Sequence, residues 1–207
     1  MISYLALGDS YTIGEQVPIA DSFPYQLVQL LRGAGWPIAA PEIVAKTGWT
    51  TDELLSALEQ TRLLPPYDLV TLLIGVNNQY RGWSTETYAI EFDRLLKMAI
   101  EFAGGSTERV LVLSIPDWGF TPFAEGRDRP AITTEINQFN KINKQLTDQQ
   151  AVYYLDITEG TREALSNPAL LAPDGLHPSG LEYARWARGL FSYLSQKYGG
   201  SMPSARR

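Results

Sequence analysis

Five short apolar runs, at residues 2–7, 42–46, 68–74, 109–115 and 151–156, are separated by longer stretches in which apolar residues recur at helical spacing. This alternation leaves few folds open. Strands joined by crossover helices pair in parallel, and a parallel sheet must be covered on both faces. The spacing predicts helices over residues 23–31, 50–58, 85–102 and 132–146, and a last one after Pro178. Thr50 with Glu53 and Ser179 with Glu182 each have the spacing of a capping box, in which hydroxyl and carboxylate satisfy two orphan N–H groups at a helix start. In the last helix Leu181, Ala184, Ala187, Leu190, Phe191 and Leu194 are expected to form the apolar face. The expected fold is α/β: a three-layer α/β/α sandwich around a five-stranded parallel sheet. Without an internal repeat or linker, residues 1–198 read as one domain, and the small, polar stretch 199–207 reads as a frayed tail.

In open α/β sheets the binding crevice lies outside the carboxyl ends of the strands. Four segments reach that edge: Gly8-Asp9-Ser10, Thr47-Gly48-Trp49, Gly75-Val76-Asn77-Asn78 and Asp174-Gly175-Leu176-His177. Composition narrows their chemistry. The chain has no Cys, so disulfides, zinc ribbons and thiol nucleophiles are excluded. It has one His, so any imidazole chemistry belongs to His177. A net charge of −6 argues against nucleic acid as a partner. No apolar run approaches the about 20 residues of a membrane-spanning helix. The first residues lack the basic n-region and cleavage site of a signal peptide, which predicts a cytoplasmic protein, or a secreted one if a leader precedes this sequence.

Ser10 follows the first strand directly, and Gly8 permits a tight strand-to-helix turn that presents the hydroxyl at the crevice. A hydroxyl needs a base to become a nucleophile, and His177 is the one available. Asp174, three residues earlier, is placed to accept from the imidazole Nδ1–H and stabilise the imidazolium formed during attack. Donors for an oxyanion are the backbone N–H groups of Ser10 and Gly48 and the side-chain amide of Asn77. They converge only if the first strand lies between the second and third. Asp9 points away from its neighbour and reads as a turn-stabilising hydrogen bonder.

In these blocks the sequence resembles the SGNH, or GDSL-type, hydrolase family: Gly8-Asp9-Ser10, Gly48, Gly75-x-Asn77 and Asp174-x-x-His177 stand in the family's order. The resemblance implies a flavodoxin-like topology and hydrolysis of esters or thioesters by Ser10, His177 and Asp174. It also implies an oxyanion hole from Ser10, Gly48 and Asn77, and no cofactor or metal. Tyr11 departs from the leucine of the family's first block, and Asn78 stands where many members carry Asp.

The expected partner is a small acyl ester, and the expected state a monomer or small homo-oligomer. Tyr80, Trp83, Trp118, Phe120 and Phe123 lie in segments that should rim the crevice as an apolar or sugar-stacking wall, and residues 117–130 form its lid or side. An acyltransferase or an O-acetyl-carbohydrate esterase would use the same site. Two other classes compete: a flavodoxin-like ligand-binding protein using the first loop, and a Mg or Ca site built from Asp9, Asn77, Asn78 and Asp174.

Overall fold

The structure is a computed structural model describing residues 1–199. Its strands are β1 (Tyr4–Asp9), β2 (Glu42–Lys46), β3 (Leu69–Leu73), β4 (Val110–Leu113) and β5 (Tyr153–Leu155). Its helices are α1 (Ser10–Ile13), α2 (Phe23–Gly33), α3 (Thr51–Gln60), α4 (Val76–Tyr80), α5 (Thr85–Phe102), α6 (Arg129–Gln149), α7 (Thr158–Arg162) and α8 (Gly180–Tyr198). The strands form one parallel sheet in the order β2-β1-β3-β4-β5. The chain runs from β1 toward β2 in one direction and from β2 to β5 in the other. Right-handed crossovers therefore place α2 on one face and α3, α5 and α6 on the opposite one. Contacts agree, since α2 packs on α8, α3 on α5, and α5 on α6.

Burial follows strand position. Every residue of β1, β3 and β4 is buried, while the edge strands β2 and β5 are mostly half-exposed. Central parallel strands covered on both faces explain why their sequences are continuous apolar runs rather than alternating ones. Ile2 lies outside β1 and makes an isolated bridge to Ile38.

Local signals hold at some ends and fail at others. The Thr50 N–H donates to Glu53 Oε2 at 2.9 Å in the capping box that opens α3. The box expected at Ser179 does not form: the Ser179 hydroxyl donates to the Ala169 carbonyl, and Glu182 turns inward to the Trp186 indole N–H and Arg185. The apolar face of α8 is shifted accordingly. Ala187, Leu190 and Leu194 are buried as expected, but Leu181 is 61% exposed, Ala184 and Phe191 are half-buried, and Tyr183 and Trp186 are buried in their place. Tertiary packing of two large aromatics outweighs the benefit of placing one leucine. Gly199 is the left-handed cap of α8, its N–H donating to Ser195 O. Residues 200–207 lie outside the described residues.

Candidate active site

The register of the sheet brings the four motifs together. Gly8 in β1 lies between Ala45 of β2 and Leu73 of β3, so Ser10, Gly48 and Gly75 emerge side by side at the carboxyl edge. Gly8 is required by close approach: a Cβ there would sit 2.1 Å from Thr12 Oγ1 and 2.4 Å from the Leu73 carbonyl oxygen. Asp9 caps α1, its Oδ1 accepting the Tyr11 N–H at 3.0 Å. Its other carboxylate oxygen is buried without a hydrogen-bond partner among the described residues. Burial, opposed by the Tyr11 N–H, pushes this carboxyl up to about 7.

His177 is buried and held from two sides. Its Nδ1 lies 2.6 Å from Asp174 Oδ2, and its ring lies against Tyr11 with centroids 5.3 Å apart. An ionised carboxylate can only accept, which assigns the proton to Nδ1 and leaves Nε2 as the basic nitrogen. Asp174 Oδ1 accepts the backbone N–H groups of Leu176 and His177, each at 3.0 Å. Partial burial pushes the Asp174 carboxyl upward, but the bonds from His177 and the two N–H groups outweigh it and leave it below its ordinary value. It is therefore an anion where an imidazolium would need one.

The loop after β2 is clamped by α4. Gly48 adopts φ +82°, a left-handed conformation that favours glycine. Its carbonyl accepts from Arg81 Nη2 at 2.6 Å, and the next carbonyl, of Trp49, accepts from Asn77 Nδ2 at 2.9 Å. Asn77 and Arg81 lie one helical turn apart and so grip successive peptides. Among the described residues the second amide hydrogen of Asn77 has no partner, which leaves it for a ligand. Asn78 turns the other way: its Oδ1 accepts the Thr51 N–H at 3.1 Å and its Nδ2 donates to Thr51 Oγ1 at 2.7 Å, tying α4 to the start of α3. The departure at position 78 thus sits in a structural tie. Of the four residues of the cation-site reading, Asn78 and Asp174 already hold protein hydrogen bonds on both of their polar side-chain atoms.

Ser10, Gly48, Asn77 and His177 line one cavity of about 180 Å³. Of the expected aromatics, Tyr80, Trp118 and Phe123 line it; Trp83 and Phe120 do not. The Trp83 N–H bonds the Asn78 carbonyl at the end of α4, and Phe120 lies under the Arg162 guanidinium, 5.8 Å from the ring centroid. Trp118 is fixed by its indole N–H donating to Gln79 Oε1 at 2.7 Å, and Arg127 sits 5.3 to 5.6 Å from the centroids of Tyr80, Trp118 and Phe123. Residues 117–130 therefore supply a wall. Sequence reading missed Thr47, Val76 and Leu176 as lining residues and gave Tyr11 no role, although each adjoins a motif residue. The clamp by Arg81 had one available signal, its spacing of four from Asn77.

Among known proteins, the chain is 24% identical over 164 residues to an acetylxylan esterase of Geobacillus stearothermophilus, covering 74% of this chain and 71% of that protein. It is 24% identical over 174 residues to an arylesterase of Vibrio mimicus, covering 84% and 78%. The crystal structure of the acetyl xylan esterase AlAXEase superposes with a TM-score of 0.73 at 17% identity, covering 93% of this chain and all of that one. That last likeness is one of fold. A five-stranded parallel sandwich with this sequence signature defines the class, a carboxylic ester hydrolase. The family described as GDSL-like lipase/acylhydrolase matches residues 6–185, and the chain belongs to it.

Proposed function

We propose that the protein is a serine esterase that cleaves small carboxylic esters through an acyl-enzyme on Ser10. The observation that carries this reading is the 2.6 Å contact between His177 Nδ1 and Asp174 Oδ2, with the imidazole facing the cavity that Ser10, Gly48 and Asn77 also line. His177 Nε2 takes the Ser10 proton as Oγ attacks the acyl carbonyl, and Asp174 offsets the charge that forms. The developing oxyanion accepts from the N–H groups of Ser10 and Gly48 and from the remaining amide hydrogen of Asn77, three groups on residues that line the same cavity. The imidazolium then returns its proton to the leaving alkoxide. Water, deprotonated by the same Nε2, attacks the acyl-enzyme and frees the acid and Ser10.

The family and the two esterase relatives support ester hydrolysis of this kind. A fluorophosphonate probe followed by peptide mapping tests it. The expected label is on Ser10, and Ser10→Ala and His177→Ala each lose nearly all hydrolysis of 4-nitrophenyl acetate while remaining folded by circular dichroism. Label on another residue, or substantial activity in Ser10→Ala, would refute the nucleophile.

A further inference from the structure

The catalytic cavity has two unlike ends. At one, the lining rings open to solvent, with Tyr80 45% and Phe123 41% exposed; the other is closed by Tyr11, 3% exposed, and by Trp118, 4% exposed, whose ring reaches back to those of Tyr80 and Phe123 at centroid distances of 5.5 and 5.9 Å. Behind that blind end lies a second, smaller cavity of about 20 Å³, room for about one water, lined chiefly by apolar groups such as Pro116, Ala164, Leu170 and Pro178. Tyr11, Trp118 and Leu176 border both cavities and so form the partition between them. Two of the three are held in place. The Trp118 indole N–H is bonded to Gln79, which is itself bonded to Glu135, and the Tyr11 ring is packed between His177 and Trp186.

During turnover the alcohol must leave and water must enter, and only the solvent end serves both. The acyl group, which stays on Ser10 between the two half-reactions, takes the blind end. A cavity of 150 Å³ accommodates one benzene molecule. In a space of about 180 Å³ that also holds the ester carbon and its two oxygens, an acyl chain directed away from the solvent end has room for only a few further carbons before it meets the partition.

Resting on the serine-esterase reading above, we infer that the substrates are esters of short acyl groups, acetyl to butyryl, and that Tyr11, Trp118 and Leu176 set this limit by closing the cavity. The residue at position 11 then acts as a wall. Its ring size, not its hydroxyl, determines the chain length accepted.

The test is the ratio of kcat/KM values across 4-nitrophenyl acetate, butyrate and hexanoate, a ratio insensitive to losses that affect all three esters equally. The wild-type enzyme is expected to lose at least tenfold from butyrate to hexanoate. Leu176→Ala, at a half-buried position that tolerates truncation, joins the two cavities and is expected to raise the hexanoate-to-acetate ratio by about fourfold for each methylene newly buried. Tyr11→Leu is expected to do the same, and Tyr11→Phe to keep the wild-type ratio. A wild-type enzyme that cleaves hexanoate as well as butyrate would overturn the inference, as would folded Leu176→Ala and Tyr11→Leu variants with unchanged ratios. Ester hydrolysis abolished by Ser10→Ala but indifferent to chain length defeats the partition alone, whereas hydrolysis that survives Ser10→Ala defeats the reading beneath it.

Discussion

Arg81 is expected to be worth about tenfold in kcat although it donates nothing to the oxyanion. Its guanidinium donates to the Gly48 carbonyl at 2.6 Å and pairs with Glu53 at 3.3 Å, and Glu53 in turn accepts the Thr50 N–H at 2.9 Å. Removing it frees one carbonyl of a glycine held at φ +82°, whose own N–H is a proposed oxyanion donor. Loss of a whole donor costs about 2.7 to 4 kcal/mol of barrier, which sets the ceiling. The side chains of Arg81 and Glu53 are 43% and 40% accessible, so their ion pair contributes at most about 1 kcal/mol. Because Asn77 still holds the Trp49 carbonyl, the loop loosens without detaching, and Arg81→Met should forfeit about 1 to 1.5 kcal/mol of transition-state stabilisation. That is a five- to tenfold fall in kcat at nearly constant KM, since the donor matters most when the carbonyl becomes an oxyanion. Arg81→Lys, with one compact charge in place of a fork, should recover part of it. Steady-state kinetics on 4-nitrophenyl acetate decides the matter. An unchanged kcat, or a loss confined to KM, would refute the clamp; a loss beyond about a thousandfold would exceed what one donor can supply and point to direct contact with substrate.

Two further outcomes follow from buried groups. Asp9 carries a carboxyl raised from 3.8 to about 7 by burial, so the folded state holds its proton more tightly than the unfolded chain does. Its contribution is neutral below 3.8, opposes folding increasingly between 3.8 and about 7, and is constant above, where it reaches on the order of 4 kcal/mol. Asp9→Asn retains the acceptor for the Tyr11 N–H, so its stability relative to wild type should rise from pH 4 to pH 8 in urea denaturation, and a pH-independent difference would contradict the burial argument. Asn78→Ala should lower stability by about 1 to 3 kcal/mol by orphaning the buried Thr51 N–H, while Asn78→Asp keeps the acceptor for that N–H, loses only the donation to the Thr51 hydroxyl oxygen and should cost less. Equal melting temperatures for the two variants would show that the tie is unimportant.

Much of this protein was readable from residue order. Parallel strands buried on both faces announce themselves as apolar runs, and a chain with one histidine and no cysteine narrows the candidates for the proposed chemistry to Ser10, Asp174 and His177. The Asp174–His177 contact is local, three residues apart, so its spacing carries its geometry. What residue order could not supply was direction in space. Glu182 looks like a capping residue until the Trp186 indole offers it a buried partner, and Leu181 looks like core until Tyr183 and Trp186 take that side of α8.

The same limit governs the cavity. Tyr80, Trp83, Trp118, Phe120 and Phe123 are alike as letters in neighbouring loops, yet three line the cavity and two do not, because each short turn orients its side chains separately. Periodicity and motif order by themselves determined the layers, the edge of the sheet where the motifs meet and the groups proposed to act there. Which side chains wall that chemistry in, and which grip its loops from a distance, was decided only when α4, the 117–130 segment and the 174–177 loop packed against one another. Contacts of that kind join residues far apart in the chain, and their energies depend on shape and desolvation that no local spacing encodes.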